Sequence, residues 1–230
     1  MTQRLKSLLP LSVAVGLLAF LWLEVSLNFS FHWFSDGDLG IGLSLPHNFH
    51  LIPPAAFVSW AMFFAAGADR AAAGKVAVAS VIGAFSGLLL MWISPTVADL
   101  PDFWGIAATA GVLALIVTAS GSLGDWYFIP GTFGGFATIV FWWIATGLDG
   151  WAEGGGGVGN SVDALGDPAT AGSGAFGGVL STPIEWVFLS CTATLLCGVL
   201  LGVVSTKVAG FLAAVFPAPS RTETTPAPSA

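Results

Sequence analysis

Few residues in this chain have the type and spacing to act on another molecule. Pro130-Gly131-Thr132, followed by Gly134-Gly135, opens a long apolar run. Proline and glycine weaken the regular hydrogen-bond ladder there. Irregular backbone survives at membrane depth only against protein or a water-filled cavity. The stretch is therefore either a broken helix that aims amide groups and the Thr132 hydroxyl at a solute, or an ordinary helix start whose glycines serve packing. Ser59 and Trp60, in the run Phe57-Val-Ser-Trp-Ala-Met-Phe-Phe-Ala-Ala-Gly, are the counterpart candidates. Glu24 is the only carboxylate clearly inside an apolar run. A charge at mid-bilayer costs roughly 2.5–3.5 kcal/mol on insertion scales and less toward the interface. Glu24 thus reads either as a pore-mouth or proton-coupling carboxylate or as a side chain that reaches the headgroups.

Other chemistry is missing from the sequence. His32, His47 and His50 share one stretch with Asp36 and Asp38, but their spacing matches no compact metal motif, and no metal or other cofactor is expected. Cys191 and Cys197 lie six apart on one helix, point in different directions and read as packing residues. The glycine run Gly154–Gly157 lacks the flanking strand and helix of a phosphate loop. No nucleophile stands at a usable spacing from a base. The expectation is a protein without catalytic residues.

The elements that would hold these groups follow from composition. Charged residues make up 8% of the chain and the mean hydropathy is +0.86, so the solvent for most of it must be lipid. Continuous apolar runs without alternation select helices, and six appear, at about 8–28, 51–66, 76–94, 104–120, 127–146 and 184–205. The opening Met-Thr-Gln-Arg-Leu-Lys resembles a secretory leader, but about 20 apolar residues follow with no small-residue cleavage pattern after Leu23, so a retained first helix is expected. With six crossings, Arg4, Lys6, Arg70, Lys75, Lys207 and Arg221 all fall on one side, in the two tails and the 2–3 loop. Cytoplasmic loops carry Lys and Arg, which predicts a multi-pass plasma-membrane protein with both termini cytoplasmic.

Asp36, Asp38, Asp99, Asp102, Asp149, Glu153, Asp163 and Asp167 fall in the loops expected outside. Such an acidic exterior argues against nucleic-acid binding and fits a high-salt, halophilic setting. A six-helix domain over 1–216 is expected, with halves of about 8–94 and 104–216, a flexible Gly-rich insertion at 147–182 and a disordered tail at 217–230.

Gly83 and Gly87 form one small-xxx-small pair, and Gly198 and Gly202 form another, each permitting close helix approach in lipid. Laying the Phe57 run on Phe128-Ile-Pro-Gly-Thr-Phe-Gly-Gly-Phe-Ala-Thr places a glycine-paired helix after each. Helices 1–3 then match helices 4–6. Three is odd, so the halves would be inverted, a recurrent plan of transporters and channels. These two segments also resemble the most recognisable stretches of a bacterial inner-membrane group, domain-of-unknown-function family 1097, over roughly residues 50–210. The resemblance implies a multi-pass membrane protein and carries no activity and no functional residues. The resulting expectation is an all-α membrane protein with a 3+3 inverted repeat, a channel or facilitator for a small neutral or weakly charged solute. Pro130, Gly131, Thr132, Ser59 and Trp60 are expected to converge near its centre. The rival reading is an accessory or assembly subunit acting through helix contacts. Partners would be the lipid bilayer, the solute and, as an open question, further copies of the chain.

Overall fold

The computed structural model describes residues 3–29, 49–97, 101, 104–145 and 184–216 of the protein. Every element among them is a helix: α1 (Gln3–Asn28), α2 (Pro53–Ala65), α3 (Arg70–Val97), α4 (Trp104–Ala119) with a 3-10 turn at Ser120–Leu123, α5 (Ile129–Ala145) and α6 (Ile184–Val215). His32, His47, the eight acidic residues of the outer loops, the 147–182 insertion and the 217–230 tail lie outside the described residues.

Six helices are present among the described residues. Four are long and apolar enough to span a membrane: Ser7–Asn28, Arg70–Ser94, Trp104–Leu123 and Ile184–Val215. With 13 residues, α2 covers only about 20 Å of a hydrocarbon core about 30 Å thick. Hydropathy runs on through residues 51 and 52, which are extended rather than helical. Ile52 sits at φ −101° and ψ 97° because a residue before proline is pushed out of the helical region. Pro53 and Pro54 then occupy the first turn, where their missing amides leave no gap.

The basic residues are also placed differently. Arg70 and Lys75 belong to α3 and Lys207 to α6, not to a loop and a tail. An apolar run marks where lipid ends, whereas a helix continues into water for as long as its backbone bonds close. The true α2–α3 connection is four residues long. Gly67, at φ 116°, ends α2 with its amide donating to the Phe64 carbonyl, and the Ala68 amide donates to that of Phe63. This is the paired closure that a left-handed glycine allows. Asp69 then caps α3, its Oδ1 accepting the Ala72 amide at 2.7 Å.

Direction can be read from the contacts. His50, Ile52, Ala56 and Phe63 meet Ser190, Thr194, Gly198 and Gly202 in the same order, so α2 and α6 run parallel. Ala79, Gly83 and Gly87 meet Gly131, Thr132 and Ile139 in order, so α3 and α5 run parallel too. The tight turn between α2 and α3 opposes the two pairs. Between them lies a core that includes Ala84, Met91, Ile139, Trp143, Cys191 and Leu195. α1 packs mainly on α6 and α4 mainly on α3, and both leave most of their length exposed at the periphery.

Candidate functional site

The glycine pairs set how closely the inner helices approach. A side chain at Gly83 would strike the Thr132 carbonyl, and one at Gly87 would strike the Ile139 side chain. At Gly198 it would strike the Ala56 carbonyl and Ser59 Oγ, and at Gly202 the Phe63 ring. Gly135 completes the α3–α5 seam, where an added Cβ would lie 2.5 Å from the Ser80 carbonyl oxygen. All four expected packing glycines therefore work inside the chain: Gly83 and Gly198 let backbones meet directly, and Gly87 and Gly202 seat the Ile139 side chain and the Phe63 ring.

The solute-pathway candidates divide between the two seams. Ser59 and Trp60 face α6 and are 1% and 3% exposed. Ser59 Oγ donates to the Leu195 carbonyl at 2.6 Å, and the Ala56 carbonyl lies at 3.2 Å. Trp60 Nε1 donates to Ser205 Oγ at 3.2 Å, and Ser205 donates onward to the Gly202 carbonyl at 2.7 Å. Thr132 is fully buried toward α3, with its hydroxyl returned to the Phe128 carbonyl at 3.3 Å. Gly131 packs between Phe128 and Ala79, whereas Pro130 is exposed in the first turn of α5. The helix is continuous from Ile129, and the Thr132 amide donates to the Phe128 carbonyl at 3.1 Å, so the backbone here is an ordinary helix start. Ser59 and Trp60 therefore face the α2–α6 seam, whereas Gly131 and Thr132 face the α3–α5 seam. Close-packed seams need small or hydrogen-bonded residues for the same reason a pathway would, and packing takes them.

What joins α2 to α5 is Gly134, which lies against Val58 and Met62. These three keep partial exposure, unlike the buried seams on either side. One turn further along α5, Thr138 is buried and its hydroxyl donates to the Gly134 carbonyl at 2.7 Å. Glu24 lies away from this crossing, exposed on α1, where Asn28 Nδ2 donates to its Oε1 at 3.1 Å.

A second polar feature was not singled out from the sequence. The extended stretch before α2 has amides that no helix accepts. Ser190 Oγ takes that of His50 and Thr194 Oγ1 takes that of Ile52, each at 3.1 Å. The i, i+4 spacing of Ser190 and Thr194 was the available signal. His50 itself is 7% exposed, and its Nδ1 has no hydrogen-bond partner among the described residues. Burial pushes its pKa below the ordinary histidine value. No group of three or more His, Cys, Asp or Glu residues suited to a metal occurs among the described residues.

Residues 12–210 match the family described as Protein of unknown function (DUF1097), and the chain belongs to that family. No curated protein and no solved structure matches it.

Proposed function

We propose that this DUF1097 member is a channel or facilitator for a small neutral or weakly charged solute, built from two inverted three-helix halves. One observation carries the reading: two fixed shifts in residue number turn one seam into the other. Thr132 stands 76 positions after Ala56, and Ile139 stands 76 after Phe63; Gly198 and Gly202 stand 115 after Gly83 and Gly87. Under the same shifts, the approach of Gly135 to Ser80 corresponds to the hydrogen bond of Ser59 to Leu195. The crossing of α2 and α5 pairs Val58 with Gly134, which are 76 apart and so are each other's counterparts. Opposed helices that cross at equivalent residues are what a twofold axis in the membrane plane requires.

This register aligns Pro54 with Pro130, Phe57 with Phe133 and Ala61 with Ala137. It replaces the Phe57–Phe128 alignment, which matched aromatic letters instead of the points of closest approach. The packing of α1 on α6 and of α4 on α3 corresponds in the same way. Inverted repeats of this kind hold their sites near mid-membrane, where the halves meet. The pathway in this reading follows the Val58–Met62–Gly134 crossing, narrowed in this conformation by the two side chains. The distribution of basic residues supports a reading with both termini in the cytoplasm and the plasma membrane as host.

Flux of urea-sized and glycerol-sized solutes into proteoliposomes tests the proposal. Wild type should exceed empty liposomes, and Gly134→Leu should abolish the excess while the protein stays folded. If no solute in the series moves faster than through empty liposomes, the channel reading fails. An accessory role draws on a different observation: Gly16 on α1 and Gly111 on α4 face open space and could seat partner helices.

A further inference from the structure

We propose that the recess between the α2–α3 turn and α6 binds a phosphate group, supplied by a lipid headgroup or by a soluble phosphate compound. Its volume is about 390 Å³. Phe63 and Val203 give it an apolar wall, and Arg70 and Lys207 bring two cations to it from different helices. Neither cation has an ion-pair partner among the described residues.

Two other polar groups of the recess have partners within the fold. Asp69 holds the Ala72 amide through Oδ1 at 2.7 Å, and the Thr206 hydroxyl donates to the Val203 carbonyl at 2.8 Å. Two cations therefore share the recess with one carboxylate, which leaves it a net positive charge beside a space large enough for a phosphate group. The recess lies where the apolar span of α3 begins, at the boundary between hydrocarbon and water. Basic pockets between helices at that boundary suit phosphate headgroups, because the cations bind the phosphate while the apolar wall takes the glycerol and first methylenes. The same geometry accepts a soluble phosphate monoester. This inference does not depend on solute transport.

The full-length protein, delipidated in detergent, provides the test. Native mass spectrometry would count phosphatidylglycerol retained against diacylglycerol, which lacks the phosphate. A parallel titration with glycerol phosphate examines the soluble source. Wild type should retain the phospholipid over diacylglycerol or bind glycerol phosphate, and whichever arm responds identifies the source. In that arm Lys207→Gln should lose about five-fold, and Arg70→Gln with Lys207→Gln about twenty-five-fold. Lys75→Gln, outside the recess, should change nothing. Asp69→Asn keeps a capping side chain but removes the carboxylate, and should bind more tightly. Wild type that fails in both arms, or Lys207→Gln that matches wild type in the responding arm, would overturn the proposal. Lys207 is exposed on a helix surface, so its variant does not threaten folding.

Discussion

Ser59 Oγ donates to the Leu195 carbonyl at 2.6 Å, at the level where the α3–α5 seam holds Gly135 against Ser80. One seam closes with a hydroxyl and the other by the absence of a side chain. In each, the space left by glycine is filled by a neighbouring backbone or a buried side chain, so the seams should be intolerant of added volume.

Gly198→Ala should therefore destabilise the protein by about 1–3 kcal/mol, because the new methyl meets the Ala56 carbonyl and Ser59 Oγ, one of them rigid backbone. Gly16→Ala meets nothing and should be neutral or stabilising by up to about 1 kcal/mol. Thermal melting in detergent, followed by circular dichroism, compares the two. Equal melting temperatures would contradict the seam.

Ser190→Ala with Thr194→Val would leave the His50 and Ile52 amides without acceptors. Each lost acceptor should cost about 1–3 kcal/mol, since a buried amide has no water to turn to. Thr132→Val, whose hydroxyl only returns to its own helix, should stay within about 1 kcal/mol of wild type. Denaturation of the variants in one detergent would establish the order, and a larger loss for Thr132→Val would reverse the assignment.

His50 gives a pH dependence with a definite sign. Its pKa is lowered in the fold, so the unfolded chain takes up the proton first as pH falls. The stability contributed by neutral His50 is full above the unfolded value of about 6.5 and is lost progressively as pH falls below it, levelling off once the folded protein is also protonated. His50→Gln should remove this part of the slope between pH 7.5 and 5. Identical slopes for variant and wild type would show that the imidazole does not titrate there.

Ala68 is the one non-glycine residue with positive φ among the described residues, at 58°. A left-handed conformation costs an L-residue roughly 1–2 kcal/mol, partly offset by the greater freedom of unfolded glycine. Ala68→Gly should stabilise by about 0.5–1 kcal/mol, read as a rise in melting temperature. A fall would mean that the methyl group contributes packing worth more than the strain.

The helices were legible in the sequence because lipid demands long apolar runs and the chain has little else. The packing of Gly83, Gly87, Gly198 and Gly202 was legible for a similar reason: glycine at a spacing of four makes a flat strip. The start of α2 was not, since hydropathy cannot separate extended Leu51-Ile52 from the helix that follows. The i, i+4 spacing of Ser190 and Thr194 puts two hydroxyls on one helix face but does not name the amides they accept. A hydroxyl in an apolar helix usually turns back on its own carbonyls, as Thr194 does to Ser190 at 2.7 Å, and nothing local announces that it also accepts from a distant amide. For the candidate site the residue types were found and their partners were not. Ser59 and Thr132 hold their hydroxyls inside buried helix seams, and letters alone do not distinguish that position from a pathway.

The extended entry to α2 has a consequence for biosynthesis. Its amides are accepted by hydroxyls 140 and 142 residues further along the chain. A ribosome adding about 5–20 residues per second needs roughly 7–28 seconds to make that length. During this interval the beginning of the second segment lacks its final acceptors, and 13 helical residues are too few to reach across the hydrocarbon unaided. The second segment can take its final position only after the sixth has been made, so the packing of the first half waits on the carboxy-terminal helix.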